Sequence, residues 1–182
     1  MVQSAPRAIG DYGLIGDTRT AALVTSDGAI DWMCVPHFDG SPLFGQLIGG
    51  PAAGSFRAGP TTAITPAIRR YRPGTATLET AWDTATGRLT LTEGMVAELD
   101  GRFLPTTFLV RRLSAEGGSV EATIFFDPRL GDAHDAPRAE QRRRGRSVPG
   151  DHSLSRSTPI SRRPFKLECP SPYRSSLATR SS

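Results

Sequence analysis

The sequence predicts an all-β protein, an antiparallel β-sandwich, on three observations. Apolar residues alternate with polar ones in short runs, as they do along half-buried strands. Turn-forming residues separate these runs at short intervals, and the clearest of these turns is Ser26-Asp27-Gly28. No stretch of a dozen residues keeps a helical apolar stripe free of Gly or Pro. Short strands interrupted this often are typical of a sandwich.

The first hairpin is predicted around Asp27-Gly28. The run AALV at 21–24 precedes this turn, and AIDWMCV at 29–35 follows it. Because Gly tolerates the positive φ that tight hairpin turns need, the two runs should pair as antiparallel strands.

A second hairpin is predicted near the middle of the chain. Its first strand has Leu78, Thr80 and Trp82 on one side, and its second has Leu89 and Leu91 alternating with threonines. A short turn joins the two strands, so they should also pair.

The remaining elements of this region are two strands and one helical turn. The strands are predicted at Phe108–Leu113 and Val120–Phe126, on either side of the turn Glu116-Gly117-Gly118. The helical turn is predicted at Pro42–Ile48, and no internal repeat accompanies these elements.

Charge divides the 182 residues near Gly131. Residues 1–131 have a balance of −2, whereas residues 132–182 have a balance of +6 and are rich in Arg, Ser and Pro. The second segment has too few large apolar residues to offset roughly 1 to 2 kcal/mol of backbone entropy per ordered residue. We therefore predict a β domain at 1–131 and a disordered tail at 132–182.

Composition argues against several function classes. No apolar run is long enough to span a membrane, and the N-terminus lacks a secretory signal, so a cytoplasmic protein is expected. Cys34 and Cys169 form no Cys-x-x-Cys motif, and no His pair has ligand spacing, so we expect no metal and no cofactor.

Acyl transfer and nucleotide binding are also disfavoured. His37 is the only histidine before residue 132, and no G-x-S-x-G motif is present. The glycines of GDYGLIGD have neither dinucleotide nor phosphate-loop spacing. The basic run RRRGR at 142–146 could contact phosphates, but the tail has few aromatics to stack bases. We therefore expect no specific nucleic acid partner.

Paired carboxylates are the remaining catalytic option, since glycoside hydrolysis needs two acids about 5 to 9.5 Å apart. For the aspartates of the first forty residues we expect turn and structural roles, with Asp27 in the hairpin turn and Asp31 on a strand flank. Four glutamates are expected to face water, because charged residues are seldom buried unpaired: Glu79, Glu93, Glu98 and Glu121.

Trp32, His37 and Asp39 are the candidate sugar-binding residues. They combine an aromatic ring, a ring donor and a carboxylate within eight residues, a mixture that suits sugar hydroxyls and ring faces. The alternative is that Trp32 and the neighbouring Phe38 belong to the core, which the large area buried by aromatic residues favours.

The segment IGDYGLIGDTRTAALVTSDGAIDWMCVPHFDGSPLFGQLIGG at 9–50 closely resembles the opening of the bacterial trehalase-like and glucoamylase-like proteins of glycoside hydrolase family 15. The likeness continues through GSFRAGP, RRYRPGTATLET, LTLTEGM, LVRRL and FDPRLG, to about residue 131. It implies an N-terminal β-sandwich that precedes a larger (α/α)6 barrel. The family hydrolyses terminal α-glucosidic bonds, in starch-type oligosaccharides or trehalose, with inversion, and its acid and base are barrel glutamates.

The resemblance implies that this chain is a truncated, non-catalytic domain of such an α-glucosidase, with about half of the sandwich and no catalytic residue. It further implies that the loop holding His37 and Asp39 lies against the barrel's substrate pocket. His37 stands where the family pattern has Arg, and Gly40 where Ser is commoner. The incomplete sandwich should self-associate through exposed strands.

The likeness is lost from Ser147 onward. A frameshifted translation of GC-rich DNA tends to give Arg, Ser and Pro, so we hypothesise such an origin for the tail. Two other functions stay open. One is an autonomous carbohydrate-binding β module with an aromatic platform of Trp32, Trp82 and Tyr71, and the other is nucleic-acid binding through the arginines.

Overall fold

A computed structural model of the protein describes residues 7–129 and 164–167. Two antiparallel sheets carry most of the regular structure in this part of the chain, which confirms the predicted all-β sandwich. The first sheet has seven strands: β1 (Gly13–Gly16), β2 (Ala21–Val24), β3 (Ala29–Val35), β4 (Ser41–Phe44), β5 (Ser55–Pro60), β10 (Val120–Asp127) and β11 (Pro164–Leu167). The second has four strands: β6 (Ile68–Tyr71), β7 (Leu78–Thr84), β8 (Gly87–Leu99) and β9 (Arg102–Glu116).

The strand order is β1-β2-β3-β5-β10-β11 in the first sheet, where β4 also pairs with β3, and β6-β7-β8-β9 in the second. The sheets face each other, because buried residues of both contribute to the same apolar clusters. The first cluster is formed by Ile15, Ala22, Val24, Ile30, Met33, Phe44 and Leu78. The second is formed by Ala58, Trp82, Leu89, Leu91, Ala115, Val120 and Ala122.

Both predicted hairpins are present. β2 and β3 pair across the turn at Gly28, whose φ of 74° is the left-handed conformation expected of that glycine. β7 and β8 pair with Trp82 opposite Leu89, and both side chains are buried as their alternation predicted.

The predicted helical turn at Pro42–Ile48 is wrong in its first half. Residues Ser41–Phe44 form β4, because Phe44 is buried opposite Met33 of β3. The helix α1 follows at Gln46–Gly49 and continues into a 3-10 turn at Gly50–Ala53. A second 3-10 turn lies at Ile9–Asp11.

Strand β11 lies inside the segment predicted to be disordered. Pro164–Leu167 pairs with β10, with Leu167 opposite Val120, and Leu167 packs against the second apolar cluster. For these four residues the structure describes a strand instead of disorder, because β10 offers backbone groups and an apolar contact that composition alone does not reveal. The rest of the predicted tail lies outside the described residues.

Candidate functional site

Three connecting segments meet around Arg19. They are the β1–β2 turn at 17–20, the β3–β4 loop at 36–40 and a bulge of β9 at 104–107. The backbone carbonyl of Arg19 accepts a hydrogen bond from the backbone N–H of Phe38 at 3.1 Å. Its Nη1 donates to the carbonyl of Leu104 at 3.2 Å. We call these three segments the Arg19 junction.

The bulge of β9 follows from a change of register. Val96 of β8 pairs with Phe108, but Glu98 pairs with Phe103. Residues 104–107 therefore stand opposite Ala97 alone, and β9 bends there. Bulges of this kind redirect a strand, and this one directs the carbonyl of Leu104 to Arg19.

The β1–β2 turn is organised by Asp17. Its Oδ1 accepts hydrogen bonds from the backbone N–H groups of Arg19 at 3.0 Å and Thr20 at 2.9 Å, which confirms the predicted turn role. Burial raises the pKa of Asp17, but these hydrogen bonds together with other favourable interactions, among them the Arg19 charge, outweigh burial, and the pKa is lowered. Thr18, which lies between Asp17 and Arg19 in this turn, has a φ of 72°, an unusual conformation for a β-branched residue. Backbone strain of this kind often accompanies functional loops.

The β3–β4 loop presents two of the three candidate sugar-binding residues. His37 and Asp39 are both exposed, and Phe38 between them is 60% exposed, so Phe38 is not a core residue. At the end of this loop the backbone of Gly40 packs against that of Val35, and only glycine fits there, because a Cβ would lie 2.3 Å from the carbonyl oxygen of Val35. The loop therefore offers a ring donor, an aromatic ring and a carboxylate to the solvent.

Trp32 is the third candidate and lies on a different element. It is half-buried in the middle of β3, opposite Leu23. Within the described residues no side-chain hydrogen bond joins Trp32 to His37 or Asp39, which lie on the loop that directly follows β3. The Asp39 carboxylate has an electrostatic effect on Cys34: burial raises the pKa of the Cys34 thiol, and the negative charge of Asp39 raises it further.

The aromatic platform required by the binding-module alternative does not form. Trp82 is 4% exposed, and its Nε1 donates to the carbonyl of Ser26 at 3.1 Å. The Tyr71 hydroxyl exchanges two hydrogen bonds of 2.8 Å with the backbone of Leu14, which holds β6 against β1. Trp82 and Tyr71 therefore hold the sandwich together.

Asp31 is buried in β3, at the point where the register with β2 shifts. Its Oδ2 accepts a hydrogen bond from the Tyr12 hydroxyl at 3.2 Å, whereas its Oδ1 is buried without a partner. Burial raises the pKa of Asp31, and the Tyr12 hydrogen bond offsets only part of this effect. The predicted position on a strand flank is therefore wrong, since the carboxyl group points into the protein. Sequence gave no signal for its pairing with a tyrosine nineteen residues earlier.

Replacing Asp31 by Asn should change how stability depends on pH. Because the folded-state pKa of Asp31 is raised, its favourable contribution is complete below the unfolded-state value of about 3.9 and is lost as pH rises through the folded-state pKa. Relative to the native chain, Asp31→Asn should therefore gain stability as pH rises from about 3 towards 7. Urea unfolding across this range measures the difference.

Asp17→Asn is the matched control for that experiment. The pKa of Asp17 is lowered, so its contribution is present above the unfolded-state pKa and is lost as pH falls. Its difference curve should have the opposite slope. Parallel slopes for the two variants would contradict the assignment of Asp31 as a buried acid.

Glu93 corrects a second prediction. It was expected to face water, but it is 1% exposed and its Oε2 accepts a hydrogen bond from Nε of Arg111 at 2.8 Å. Burial raises the pKa of Glu93, and Arg111 limits the rise. The pair lies between the two apolar clusters, since Leu91 belongs to the second cluster whereas Met95 and Leu109 pack against the first. The sequence feature that could have predicted the buried Glu93 is its partner. Arg111 interrupts the apolar run LVRRL at a position where the alternation places a side chain in the core.

Arg111 also connects the two sheets. Its Nη1 donates to the carbonyl of Phe56 at 2.7 Å, and its Nη2 donates to the carbonyl of Gly28 at 2.7 Å. The guanidinium carbon lies 4.5 Å from the centre of the Phe56 ring. This side chain of the second sheet therefore binds the backbone of the first sheet at two points.

The described residues contain no group of three His, Cys, Asp or Glu side chains that could hold a metal ion. None of the helices in this part of the chain has the length and apolarity needed to cross a bilayer.

The fold places this protein among the antiparallel β-sandwich domains. A family described as "Trehalase-like, N-terminal" matches residues 2–157, and the chain belongs to this family. The match extends past Gly131 to residue 157, so the expectation that the likeness is lost from Ser147 onward is wrong for residues 147–157.

Three curated relatives carry the printed name trehalase. The protein of Mycolicibacterium smegmatis is 43% identical over 134 residues, which is 66% of this chain and 20% of the relative. That of Mycobacterium tuberculosis is 39% identical over 88 residues, covering 48% of the chain and 13% of the relative. That of Thermoplasma volcanium is 26% identical over 138 residues, covering 74% and 22%. The chain thus spans about a fifth of their length or less, and no solved structure matches it significantly.

Proposed function

We propose that this chain provides the non-catalytic β domain of a trehalose-hydrolysing enzyme of the glycoside hydrolase family 15 type. The relatives named trehalase support trehalose over other α-glucosides as the substrate of the whole enzyme. Most of the length of these relatives lies outside the likeness, and the described residues contain one α-helix of four residues. The acid and base of hydrolysis are therefore assigned to a helical barrel outside this part of the chain.

The observation that carries this proposal is the state of the buried carboxylates. Asp17 binds backbone N–H groups of a turn, Asp31 binds Tyr12, and Glu93 binds Arg111. An inverting hydrolase needs one protonated acid and one base that activates water across the bond to be cleaved. Each of these three groups instead has a structural partner, which lies within the same turn for Asp17 and on another segment of the chain for Asp31 and Glu93.

We assign sugar contact to Trp32, His37 and Asp39, with the Arg19 junction as the frame of the loop. Exposed His37 and Asp39 can bond to hydroxyl groups, and the half-buried Trp32 offers part of a ring face. A loop that is fixed at both Gly40 and Phe38 loses little conformational freedom when it meets a sugar.

The test combines turnover with binding by the full chain. Incubation with trehalose, maltose and starch should release no glucose above a blank, and turnover that persists through purification would overturn the non-catalytic assignment. Titration with trehalose should shift the NMR signals of His37, one of three histidines in the chain. His37→Gln identifies those signals, and an unchanged His37 spectrum would overturn the assignment of sugar contact.

The remaining predictions concern features outside the described residues. A frameshifted origin of the tail is tested by reading the DNA past the codons of RRRGR in all frames for family-like strands. Nucleic-acid binding by the arginine run at 142–146 would be steeply salt-dependent and lost on deleting 132–182. A cytoplasmic location in a bacterial cell stays a prediction.

A further inference from the structure

Strand β9 is the edge of the second sheet among the described residues. In the first sheet, by contrast, β10 is not an edge strand, because β11 pairs with it on the side away from β5. Edge strands expose unpaired backbone N–H and C=O groups and invite pairing with another strand. The regular part of this edge begins at Phe108, because residues 104–107 form the bulge.

Hairpin geometry determines which backbone groups of β9 point outward. The two-residue turn of β7 and β8 closes on the pair of Thr84 and Gly87. Thr84 and Gly87 form a hydrogen-bonded pair at this position. The backbone N–H and C=O groups of the odd-numbered residues of β8 therefore point to β7, and those of the even-numbered residues point to β9. The even-numbered residues of β9 consequently bond to β8, since Val110 pairs with Gly94. The backbone groups of Leu109 and Arg111 therefore point away from the sheet.

The side chains of this edge alternate between core and solvent. The Arg111 side chain is 4% exposed, and Leu109 packs against the first apolar cluster. Phe108 and Val110 are each 50% exposed, and Arg112 is exposed beside them on the outer face. The outer face of this edge thus presents a phenyl ring, a β-branched residue and a cation in alternate positions.

We propose that β9 pairs antiparallel with β9 of a second copy of this chain, about a twofold axis through Val110. In this register Val110 faces Val110 of the partner subunit, and Phe108 faces Arg112 of the partner subunit on both sides of the axis. The guanidinium and the phenyl ring form a favourable cation–π pair. Leu109 exchanges backbone hydrogen bonds with Arg111 of the partner subunit, and the two four-stranded sheets join into one.

The side chains of this strip are complementary to those of a second, antiparallel copy, which favours both a second copy as the partner and the register centred on Val110. The strip FLVRR at 108–112 has no acidic residue, yet it pairs with itself without placing like charges opposite each other. A twofold axis through Arg112 would set two guanidinium groups face to face, which destabilises a cross-strand pair. An axis through Phe108 would require the bulged residues 104–107 to pair. The axis at Val110 avoids both problems.

A disulfide scan tests this register in the full chain carrying Cys169→Ser. Cys34 is buried and stays in every variant, so it affects all of them equally. In Val110→Cys the two introduced cysteines face each other within disulfide range, and oxidation should give a covalent dimer. In Arg112→Cys the two cysteines are offset by four residues, roughly 13 Å, and should not cross-link.

Light scattering of the unmodified chain provides the second measurement. A dimer is expected, and Val110→Lys should convert it into a monomer with unchanged circular dichroism, whereas Thr90→Lys on the outer face of the neighbouring strand should leave the dimer intact. A monomeric native chain overturns the proposal. Cross-linking of Arg112→Cys without cross-linking of Val110→Cys overturns the register, as does a dimer that survives Val110→Lys.

Discussion

Replacing Arg111 by Met is expected to lower the free energy of unfolding by about 3 to 5 kcal/mol, because the change leaves the Glu93 carboxylate buried without its charge partner. The side chains of the pair are 4% and 0% exposed, so solvent cannot replace the guanidinium without opening the sandwich. The same substitution removes the donors to the carbonyls of Phe56 and Gly28. The second sheet would then lose its polar contact with the backbone of the first.

Urea unfolding at neutral pH measures this loss, and two controls interpret it. Arg102→Met changes an exposed arginine at the start of the same strand, outside the proposed dimer interface, and should alter stability by less than about 0.5 kcal/mol. The double variant Glu93→Leu with Arg111→Met removes both charges and should be more stable than Arg111→Met alone. Equal stability of the single and double variants would mean that the unpaired carboxylate is not the source of the loss.

The strand pattern of the sandwich could be predicted because it depends on local alternation. Leu78, Thr80 and Trp82 are buried on one side of β7 as their spacing required, and Gly28 forms the turn that its conformational freedom favours. The buried Glu93 could not be predicted in this way. Its partner belongs to the next strand, eighteen residues later, and only the register of β8 with β9 brings the two together.

The candidate site illustrates the same limit. Sequence proximity selected His37 and Asp39 as candidate sugar-contacting residues, and the structure places both on the exposed loop that follows β3, while their contact with sugar stays a prediction. Trp32 is only five residues earlier, but it belongs to β3 and is half-buried opposite Leu23, so its ring is less accessible than the loop side chains. Arg19 was missed altogether, since its contacts with Phe38 and Leu104 join parts of the chain that are distant in sequence.

Gly28→Ala is expected to destabilise the protein by more than about 2 kcal/mol, for two separable reasons. The φ of 74° is a left-handed conformation that costs an alanine about 1 to 2 kcal/mol. A Cβ at this position would also lie 2.1 Å from the carbonyl oxygen of Ala58 and 3.2 Å from the Trp82 ring. The backbone of β5 must therefore move before the methyl group can be accommodated.

Gly101→Ala separates the two causes, because Gly101 has a φ of 76° but nothing lies within 4 Å of a Cβ there. Urea unfolding should assign to Gly101→Ala the conformational cost alone, and the excess measured for Gly28→Ala is the cost of the clash.

The carbonyl of Gly28 also accepts hydrogen bonds from Arg111 and from the backbone N–H of Ala58. Displacement of this turn should therefore weaken the bond to Arg111, so Gly28→Ala and Arg111→Met should be less than additive in the double variant. Additive losses would mean that the turn and the arginine stabilise the sandwich independently.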